Sequence, residues 1–265
     1  MGRIGEKFKE LGERREKALI TFVSAGDPDP GKTEEIVLAL EHAGADIVEL
    51  GVPFSDATAD GPAIQASSAR ALRAGTSLRS VLATVKEVRK RSEIPIVLFG
   101  YYNPIHAYGP TRFARDSALA GVDGVLVVDL PFEESRELRR FTDSEGIDFI
   151  PLVAPTTGVE RAGKVLRDGR GFVYFISVTG ITGTAKGSAR EIESRVRELR
   201  GVSRLPVAVG FGITNPADAA EIAPHADGIV VGSALVRLIH ENRENGRLGA
   251  AITTFVGDLK KALTL

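Results

Sequence analysis

Short apolar runs rich in β-branched residues alternate with longer amphipathic segments along the whole chain. This alternation is typical of repeated β-strand and α-helix units around a parallel sheet. Eight runs can be read: ALITFVSA from Ala18, DIVELGV from Asp46, IPIVLFG from Ile94, VDGVLVVDL from Val122, DFIPLV from Asp148, GFVYFIS from Gly171, PVAVG from Pro206 and DGIVVG from Asp227. Because most are apolar at successive positions, both faces of the predicted sheet must be covered. The pattern therefore predicts a closed (β/α)8 barrel, the TIM-barrel architecture.

Two of the segments between these runs carry clear helix signals. EEIVLALEHAG has an apolar stripe, with Ile36 and Leu40 one turn apart, and ends at Gly44, a residue type that commonly terminates helices. SLRSVLATVKEVRKRS opens on Ser77, whose hydroxyl suits the N-cap position. Both segments have the length and period that a helix packed outside a barrel strand requires.

An additional helix is predicted before the first strand. Ile4, Phe8 and Leu11 share one helical face, which indicates a helix covering the N-terminal end of the barrel. No linker or low-complexity tract divides the chain, so residues 1–265 are expected to form a single barrel domain. An open doubly wound sheet is the alternative, but it normally uses fewer strands and binds its ligand at a topological switch point. The even spacing of the runs favours the barrel.

Composition narrows the kinds of site that the chain can hold. It has 34 basic and 35 acidic residues, so its net charge of -1 gives no general attraction to nucleic acid or to an anionic membrane. With no cysteine, disulfides, thiolate nucleophiles and iron–sulfur clusters are excluded. The segment MGRIGEKFKELGERREK lacks the apolar core of a signal peptide, and no apolar run is long enough to span a bilayer. A cytoplasmic protein that binds neither nucleic acid nor a membrane is expected.

Glycine-containing loops after the last strands predict a phosphate site. In this architecture the loops after strands seven and eight, with the N-terminus of a short extra helix, commonly hold a phosphate. Gly212 follows strand seven, and Gly232 precedes Ser233, which could cap a short phosphate-binding helix after strand eight. Gly183, in the loop after strand six, is a further candidate. The alternative is that these glycines only let the chain turn, but their occurrence after three neighbouring strands favours an anion site.

Glu49 stands alone among apolar residues in the second strand. By strand alternation it shares a face with Ile47 and Gly51, opposite Val48 and Leu50, so it is predicted to point into the mouth of the barrel. Removing a carboxylate from water raises its pKa, which suits a general acid or base near neutral pH. The alternative is a buried ion pair, but none of the eight strands contains a basic residue.

A second carboxylate, Asp60, lies in the following loop, directly before Gly61 and Pro62. Taken alone, it fits a helix cap better than a catalytic role. An imine-forming aldolase would need a lysine on a strand, whereas Lys186 lies in a loop. The histidines show no metal-ligand spacing, which disfavours a metal-dependent aldolase or epimerase: His42, His106, His225 and His240. The residues favour carboxylate chemistry on a small phosphorylated substrate, without a metal.

The segment ELGVPFSD from Glu49, followed by ADGPAIQ from Ala59, resembles the tryptophan synthase alpha subunit family. The resemblance extends over nearly the whole chain, and no short motif carries it alone. It includes Phe22 and the GDP that starts at Gly26, GYYNP from Gly100, DLP from Asp129 followed by Glu133 and Glu134, Tyr174, SVTGITG from Ser177, GFG from Gly210 and Gly232-Ser233.

The resemblance implies retro-aldol cleavage of indole-3-glycerol phosphate to indole and glyceraldehyde 3-phosphate, a reaction of tryptophan biosynthesis. It implies that Glu49 moves a proton between the side-chain hydroxyl and C3 of the indole, while Asp60 hydrogen-bonds the ring N–H. It also implies residues that line the indole and glycerol pocket, each of which could equally be a core residue: Phe22, Ile64, Tyr101, Tyr174, Thr182 and Phe211.

The resemblance further implies a partner. In the family, a tryptophan synthase beta subunit carries pyridoxal phosphate and receives the indole, so an α2β2 complex is expected and this chain needs no cofactor of its own. Ala57 and Thr58 stand where the family usually has proline and leucine, which should make this loop more flexible in the free protein. The loop from Thr179 to Gly187, after strand six, is interpreted as a mobile lid.

Two other functions remain open at this point. One is a catalytically weak partner whose main role is to activate the beta subunit, against which the intact Glu49 and Asp60 argue. The other is a different phosphate-binding barrel of the same pathway, such as an isomerase or indoleglycerol phosphate synthase. A strand lysine would be expected for that synthase, and none is present.

Overall fold

The computed structural model describes residues 2–176, 188–210, 212–244 and 246–264. These residues form nine parallel strands in one sheet, in the order β5-β4-β3-β2-β1-β9-β8-β7-β6. The strands are β1 (Ala18–Ser24), β2 (Ile47–Gly51), β3 (Ile96–Gly100), β4 (Gly124–Val127), β5 (Asp148–Phe149), β6 (Leu152–Val153), β7 (Val173–Ile176), β8 (Val207–Gly210) and β9 (Gly228–Val231).

The fifth predicted strand is divided in two, so the expected count of eight strands becomes nine. Only Ile150 and Pro151 separate β5, which pairs with β4, from β6, which pairs with β7. Backbone hydrogen bonds continue through the break, from the Ile150 N–H to the Val125 carbonyl and from the Tyr174 N–H to the Pro151 carbonyl. Proline has no N–H to donate, which interrupts the regular ladder at this point. The segment from β5 to β6 still joins the two ends of the sheet, which closes as the predicted barrel.

One helix precedes the first strand, and the other helices of the described residues follow strands and cover the outside of the sheet. They are α1 (Arg3–Arg14), α2 (Thr33–His42), α3 (Pro62–Arg73), α4 (Leu78–Val88), α5 (Tyr102–Tyr108), α6 (Pro110–Ala120), α7 (Arg136–Ser144), α8 (Val159–Leu166), α9 (Ala189–Val202), α10 (Pro216–Ile222), α11 (Ser233–Glu241) and α12 (Leu248–Ala262). Short 3-10 turns span Pro30–Lys32 and Ala223–His225. The predicted cap of α4 is confirmed, because the Ser77 hydroxyl accepts the Ser80 N–H. Among the described residues, no helix combines the length and the apolar composition of a membrane span.

The amino-terminal helix α1 closes one end of the barrel, as its apolar face predicts. Ile4, Phe8 and Leu11 are buried and join the residues that fill the barrel interior. The ring of Phe8 packs against that of Phe172, with centroids 5.6 Å apart. Closing this end with apolar side chains leaves the opposite end, at the carboxyl ends of the strands, for a ligand.

Aspartates placed just before strands fix the strand starts at this closed end. Asp46 accepts the Leu19 N–H at 2.7 Å, and Asp227 accepts the Val207 N–H at 2.8 Å. Each carboxylate therefore satisfies a backbone N–H near the start of a neighbouring strand, on the second residue of β1 and on the first residue of β8. Lys260 of α12 pairs with Asp46 at 2.7 Å and ties the last helix to the same end. The amino end of the barrel thus serves stability, while the carboxyl end is left for chemistry.

Candidate active site

A pocket opens at the carboxyl ends of the barrel strands. Its walls come from strands on every side of the barrel and from the loops that follow them, the usual position of the ligand in this architecture. The described residues that line it are Phe22, Glu49, Ala59, Asp60, Gly61, Ile64, Phe99, Val128, Leu152, Tyr174, Ile176, Gly212, Ile213, Thr214, Val230, Gly232, Ser233 and Arg237. Most of them are apolar, so the few polar groups decide what the pocket can do.

Glu49 points into this pocket, as strand alternation predicts. Its neighbour on the same face, Ile47, belongs to the interior cluster of the barrel, whereas Val48 and Leu50 pack outward under the helices. The side chain is 0% exposed to solvent. Neither carboxylate oxygen has a hydrogen-bond partner among the described residues. Glu49 therefore forms no buried ion pair, the alternative to a catalytic role, with any of the described residues.

Burial raises the pKa of the Glu49 carboxyl to about 8. The cause is desolvation, because moving the ionised form out of water costs free energy that no described partner returns. A group with this pKa is available both protonated and ionised close to neutral pH. It can therefore donate a proton in one step and accept one in another.

Asp60 lies in the loop between β2 and α3 and also lines the pocket. The N-cap of α3 is Gly61, with Pro62 as the first helical residue, and no side chain caps this helix. Helix capping, the role that the sequence alone favours, is therefore not the role of Asp60. Burial raises the pKa of its carboxyl to about 6, against an opposing effect of the nearby Tyr101 hydroxyl.

The loop that carries Asp60 is held by hydrogen bonds, although Ala57 stands where the resemblance leads us to expect a proline. The Gln65 side-chain amide of α3 donates to the carbonyls of Ala57 and Asp60, at 3.2 and 2.8 Å. The Tyr101 hydroxyl accepts the Ala59 N–H at 3.0 Å. Tyr101 thus lies behind the loop, beside Asp60, rather than among the residues that line the pocket. Burial, followed by the charge of Asp60, raises the pKa of this tyrosine.

Aromatic rings form one wall of the pocket. Phe22 meets Phe99 edge-on with centroids 5.1 Å apart, and Phe99 lies 6.3 Å from the ring of Tyr174. Tyr174 is buried, and its pKa is raised mainly by that burial and further by the charges of Glu49 and Asp60. A flat aromatic ligand would fit beside this wall, close to both carboxyl groups.

Two strand glycines give these rings their space. A Cβ on Gly51 would lie 2.7 Å from the ring of Phe22, and a Cβ on Gly210 would lie 2.5 Å from the Tyr174 hydroxyl oxygen. Such separations are far below van der Waals contact, so both positions require glycine for close packing. The glycines of these strands therefore shape the pocket as well as ending the strands.

Gly210→Ala is expected to lower stability by about 1–3 kcal/mol, because the added methyl displaces the Tyr174 ring in a packed interior. The rate of the reaction that the resemblance implies, cleavage of indole-3-glycerol phosphate, should fall as well, because that ring is part of the pocket wall. Chemical unfolding and a turnover assay measure the two effects. Gly201→Ala is the matched control, since a Cβ there meets nothing within 4 Å and alanine favours helix α9. Unchanged stability and turnover of Gly210→Ala would contradict this packing.

The predicted phosphate site lies only partly within the described residues. Gly212, Gly232 and Ser233 line the pocket together at the ends of β8 and β9. Ser233 is the first residue of α11 rather than its cap, and Gly232 occupies the N-cap position without a side-chain hydrogen bond. The expectation that Ser233 caps this helix is therefore wrong. With a glycine at the cap, no side chain of the described residues accepts the first N–H groups of α11, which leaves them available to an anion.

Three predicted site residues lie outside the described residues: Thr182, Gly183 and Phe211. The predicted lid from Thr179 to Gly187, including Lys186, also lies outside them. Phe22, Ile64 and Tyr174, by contrast, line the pocket, and their contact with a substrate stays a prediction. None of the four histidines does, and the described part of the chain holds no group of three side chains arranged to bind a metal.

Several lining residues were not singled out from the sequence. Phe99, Leu152 and Ile176 are apolar strand residues whose inward position follows from alternation once the strand bounds are known. Arg237 is different, because it lies on a helix after the last strand and no pattern distinguishes it from an ordinary surface arginine. Its position one turn from Ser233 is the only signal that could have identified it.

Comparisons with known proteins show to which family the chain belongs. A family model described as Tryptophan synthase alpha chain matches residues 8–264, which include every strand and all the pocket residues. The chain belongs to the tryptophan synthase alpha chain family. The sequence resemblance is thereby confirmed, and the function of the chain is that of an alpha subunit in tryptophan biosynthesis.

Relatives named tryptophan synthase alpha chain match over nearly their full length. The protein of Geobacter sp. (strain M21) is 54% identical over 263 residues, covering 99% of this chain and 98% of the relative. That of Geobacter sulfurreducens is 52% identical, covering 99% of both. A crystal structure of the alpha subunit from Legionella pneumophila str. Paris superposes with a TM-score of 0.92 at 36% identity, covering 99% of this chain and 98% of the other. The predicted barrel fold is confirmed by this likeness.

Proposed function

We propose that this chain is a carbon–carbon lyase that cleaves indole-3-glycerol phosphate to indole and glyceraldehyde 3-phosphate. The observation that carries the proposal is Glu49, a fully buried carboxyl group that faces the pocket without any described hydrogen-bond partner. Family membership supports it, because relatives at about half identity carry the alpha chain name. The aromatic wall next to Glu49 fits the indole end of such a substrate. The glycine corner, formed by Gly212, Gly232 and Ser233 next to α11, fits its phosphate end.

The cleavage needs one proton to move from oxygen to carbon. The bond between C3 of the indole and the first side-chain carbon breaks, that carbon's hydroxyl loses its proton to become an aldehyde, and C3 gains a proton. Glu49 performs both transfers in this proposal. Protonated, it delivers a proton to C3 and makes the ring an electron sink; ionised, it then takes the hydroxyl proton and returns to its starting state.

Asp60 acts on the ring nitrogen. Protonation at C3 places positive charge on that nitrogen, and a carboxylate that accepts the N–H hydrogen bond stabilises the charge in the transition state. Asp60 can be ionised at neutral pH, because its pKa is about 6. The different pKa values of Glu49 and Asp60 support giving proton transfer to Glu49 and charge stabilisation to Asp60.

We place the reaction in the cytoplasm, in an α2β2 complex with a tryptophan synthase beta subunit that receives the indole. The solved structures of tryptophan synthase from M. tuberculosis support the partner, since a chain of one such structure matches this chain with a TM-score of 0.89 at 33% identity, covering 99% of this chain and 100% of the other. The chain itself is proposed to use no cofactor. Size-exclusion chromatography of the chain mixed with beta subunit from the same source checks the assembly; separate elution of the two would contradict it.

The test of the proposed function is turnover of indole-3-glycerol phosphate by the purified chain, with and without beta subunit. Wild type is expected to release indole in both cases. Asp60→Asn keeps the hydrogen-bond acceptor but removes the charge, so it should lower kcat by about 10²-fold. Asp56→Asn, in the same loop but not lining the pocket, is the matched control and should stay within about twofold of wild type. No indole from wild type in either case would overturn the proposed function.

A further inference from the structure

Arg237 is the only basic side chain among the described residues that line the pocket. It is exposed at the pocket edge and makes no hydrogen bond or ion pair with any residue of the described ranges. Other arginines near barrel ends are engaged; Arg70, for instance, binds Asp27 through two nitrogens at 2.7 and 2.8 Å. Arg237 thus offers an uncommitted positive charge where the pocket opens.

The geometry of α11 directs this charge toward the glycine corner. Arg237 is four residues after Ser233, so the two lie on the same face of the helix, one turn apart. Helical side chains lean toward the amino end of their helix, and a long arginine covers the preceding turn. This lean directs the side chain of Arg237 toward Gly232 and Ser233, and all three residues line the same pocket.

A positive group is needed in this pocket if it is to bind an anion, because the other charged side chains that line it, among the described residues, are acids. Apart from Arg237, its charged lining residues in the described ranges are Glu49 and Asp60, both acids. A dianionic phosphate bound in the same pocket as two carboxyl groups is repelled by whichever of them is ionised. Backbone N–H groups at a helix start offer partial charges, whereas a guanidinium offers a full one and donates several hydrogen bonds in a fixed fork.

We propose that Arg237 is a specificity-determining residue of the cleavage reaction: it binds the phosphate group of the substrate and so selects the phosphorylated compound over its neutral counterpart. The inference rests on the proposed function, and goes beyond it by assigning a role to a side chain on the helix surface. The bulk of the substrate contacts the barrel interior, and Arg237 acts only on the end that carries the charge.

The test compares wild type with Arg237→Gln and Arg237→Lys in the presence of saturating beta subunit. Two substrates are used, indole-3-glycerol phosphate and indole-3-glycerol, which lacks the phosphate. Arg237→Gln should raise KM for the phosphorylated substrate about tenfold and leave kcat within about twofold, because the contact is made equally in ground and transition states. Arg237→Lys should recover most of the affinity, since lysine binds phosphate as a point charge.

The neutral substrate separates phosphate binding from a general structural effect. For indole-3-glycerol, kcat/KM should be the same in wild type and Arg237→Gln. Arg73→Gln is the matched control: it removes an equal charge from an exposed position in the last turn of α3 and should change neither substrate's KM. Added salt should weaken binding of the phosphorylated substrate more in wild type than in Arg237→Gln.

The outcomes distinguish the two proposals. If wild type cleaves indole-3-glycerol phosphate and Arg237→Gln has an unchanged KM, or loses kcat/KM equally for both substrates, the role of Arg237 is wrong while the proposed function stands. If wild type cleaves neither substrate, the proposed function fails first. A fall in kcat at constant KM would also overturn the inference, because it would mean that Arg237 acts on the reacting atoms rather than on the phosphate.

Discussion

Glu49→Gln is expected to lower kcat for cleavage of indole-3-glycerol phosphate by about 10³-fold while KM changes by less than about threefold. Glutamine has the same shape as the protonated glutamic acid, so the pocket keeps its form and the substrate still binds. The amide can neither deliver a proton to C3 of the indole nor remove one from the hydroxyl. The two proton transfers therefore lose their shared carrier, which no other described side chain in the pocket replaces.

Steady-state indole release, measured with beta subunit present, gives both constants for this variant. Glu221→Gln makes the same chemical change at an exposed position in α10 and should match wild type. A kcat of Glu49→Gln within about tenfold of wild type would show that the proton moves by another route. A large rise in KM instead would mean that Glu49 mainly binds the substrate.

The same substitution is expected to stabilise the folded protein, by about 3 kcal/mol at pH 7. In the unfolded chain the Glu49 carboxyl has its ordinary pKa near 4.5, whereas burial raises the pKa to about 8 in the folded protein. Between these values the unfolded state has released a proton that the folded state still holds. The free energy of unfolding of wild type therefore falls as pH rises through this window, by an amount that Glu49→Gln does not share.

Unfolding by urea across a pH series tests this expectation. The stability difference between Glu49→Gln and wild type should be small near pH 4, grow between about pH 4.5 and 8, and level off above that. Glu221→Gln, at its exposed site, should show no comparable trend. A difference that stays constant across the series would mean that Glu49 titrates alike in both states, and would remove the energetic basis of its role.

Burying Glu49 away from water lowers the stability of the folded protein, and packing in the rest of the barrel offsets this loss. A buried, unpartnered acid weakens the fold, and such a residue is expected where chemistry requires it. The close packing around it, with glycines at Gly51 and Gly210 that admit aromatic rings, keeps water from the carboxyl group. Stability and activity are thus opposed at this one position.

The strands and the position of Glu49 could be read from sequence for one physical reason. Strand side chains alternate strictly between two faces, so a lone acid among apolar residues must face the interior with Ile47 once the strand is recognised. The N-terminal helix was equally readable, because Ile4, Phe8 and Leu11 fit only one helical face and became its buried side.

Other features depend on contacts between distant segments and could not be read in this way. Tyr101 follows β3, yet its hydroxyl supports the Asp60 loop after β2, a contact that requires the barrel to bring the two loops together. The Ile150-Pro151 break and the exact start of α11 at Ser233 depend on backbone hydrogen bonds rather than on apolar pattern. The sequence places Arg237 one helical turn after Ser233, but it takes the fold to show that this surface arginine lies at the pocket edge.

An NMR titration of the isotope-labelled side-chain carboxyl carbon of Glu49 tests the central claim most directly. Loss of the signal in Glu49→Gln assigns the resonance to this residue. The account predicts a midpoint at about pH 8 in the free protein, because the group is buried without a partner. A midpoint near the ordinary value of 4.5 would contradict it, since the carboxyl would then be solvated or paired and could not serve as the proton carrier.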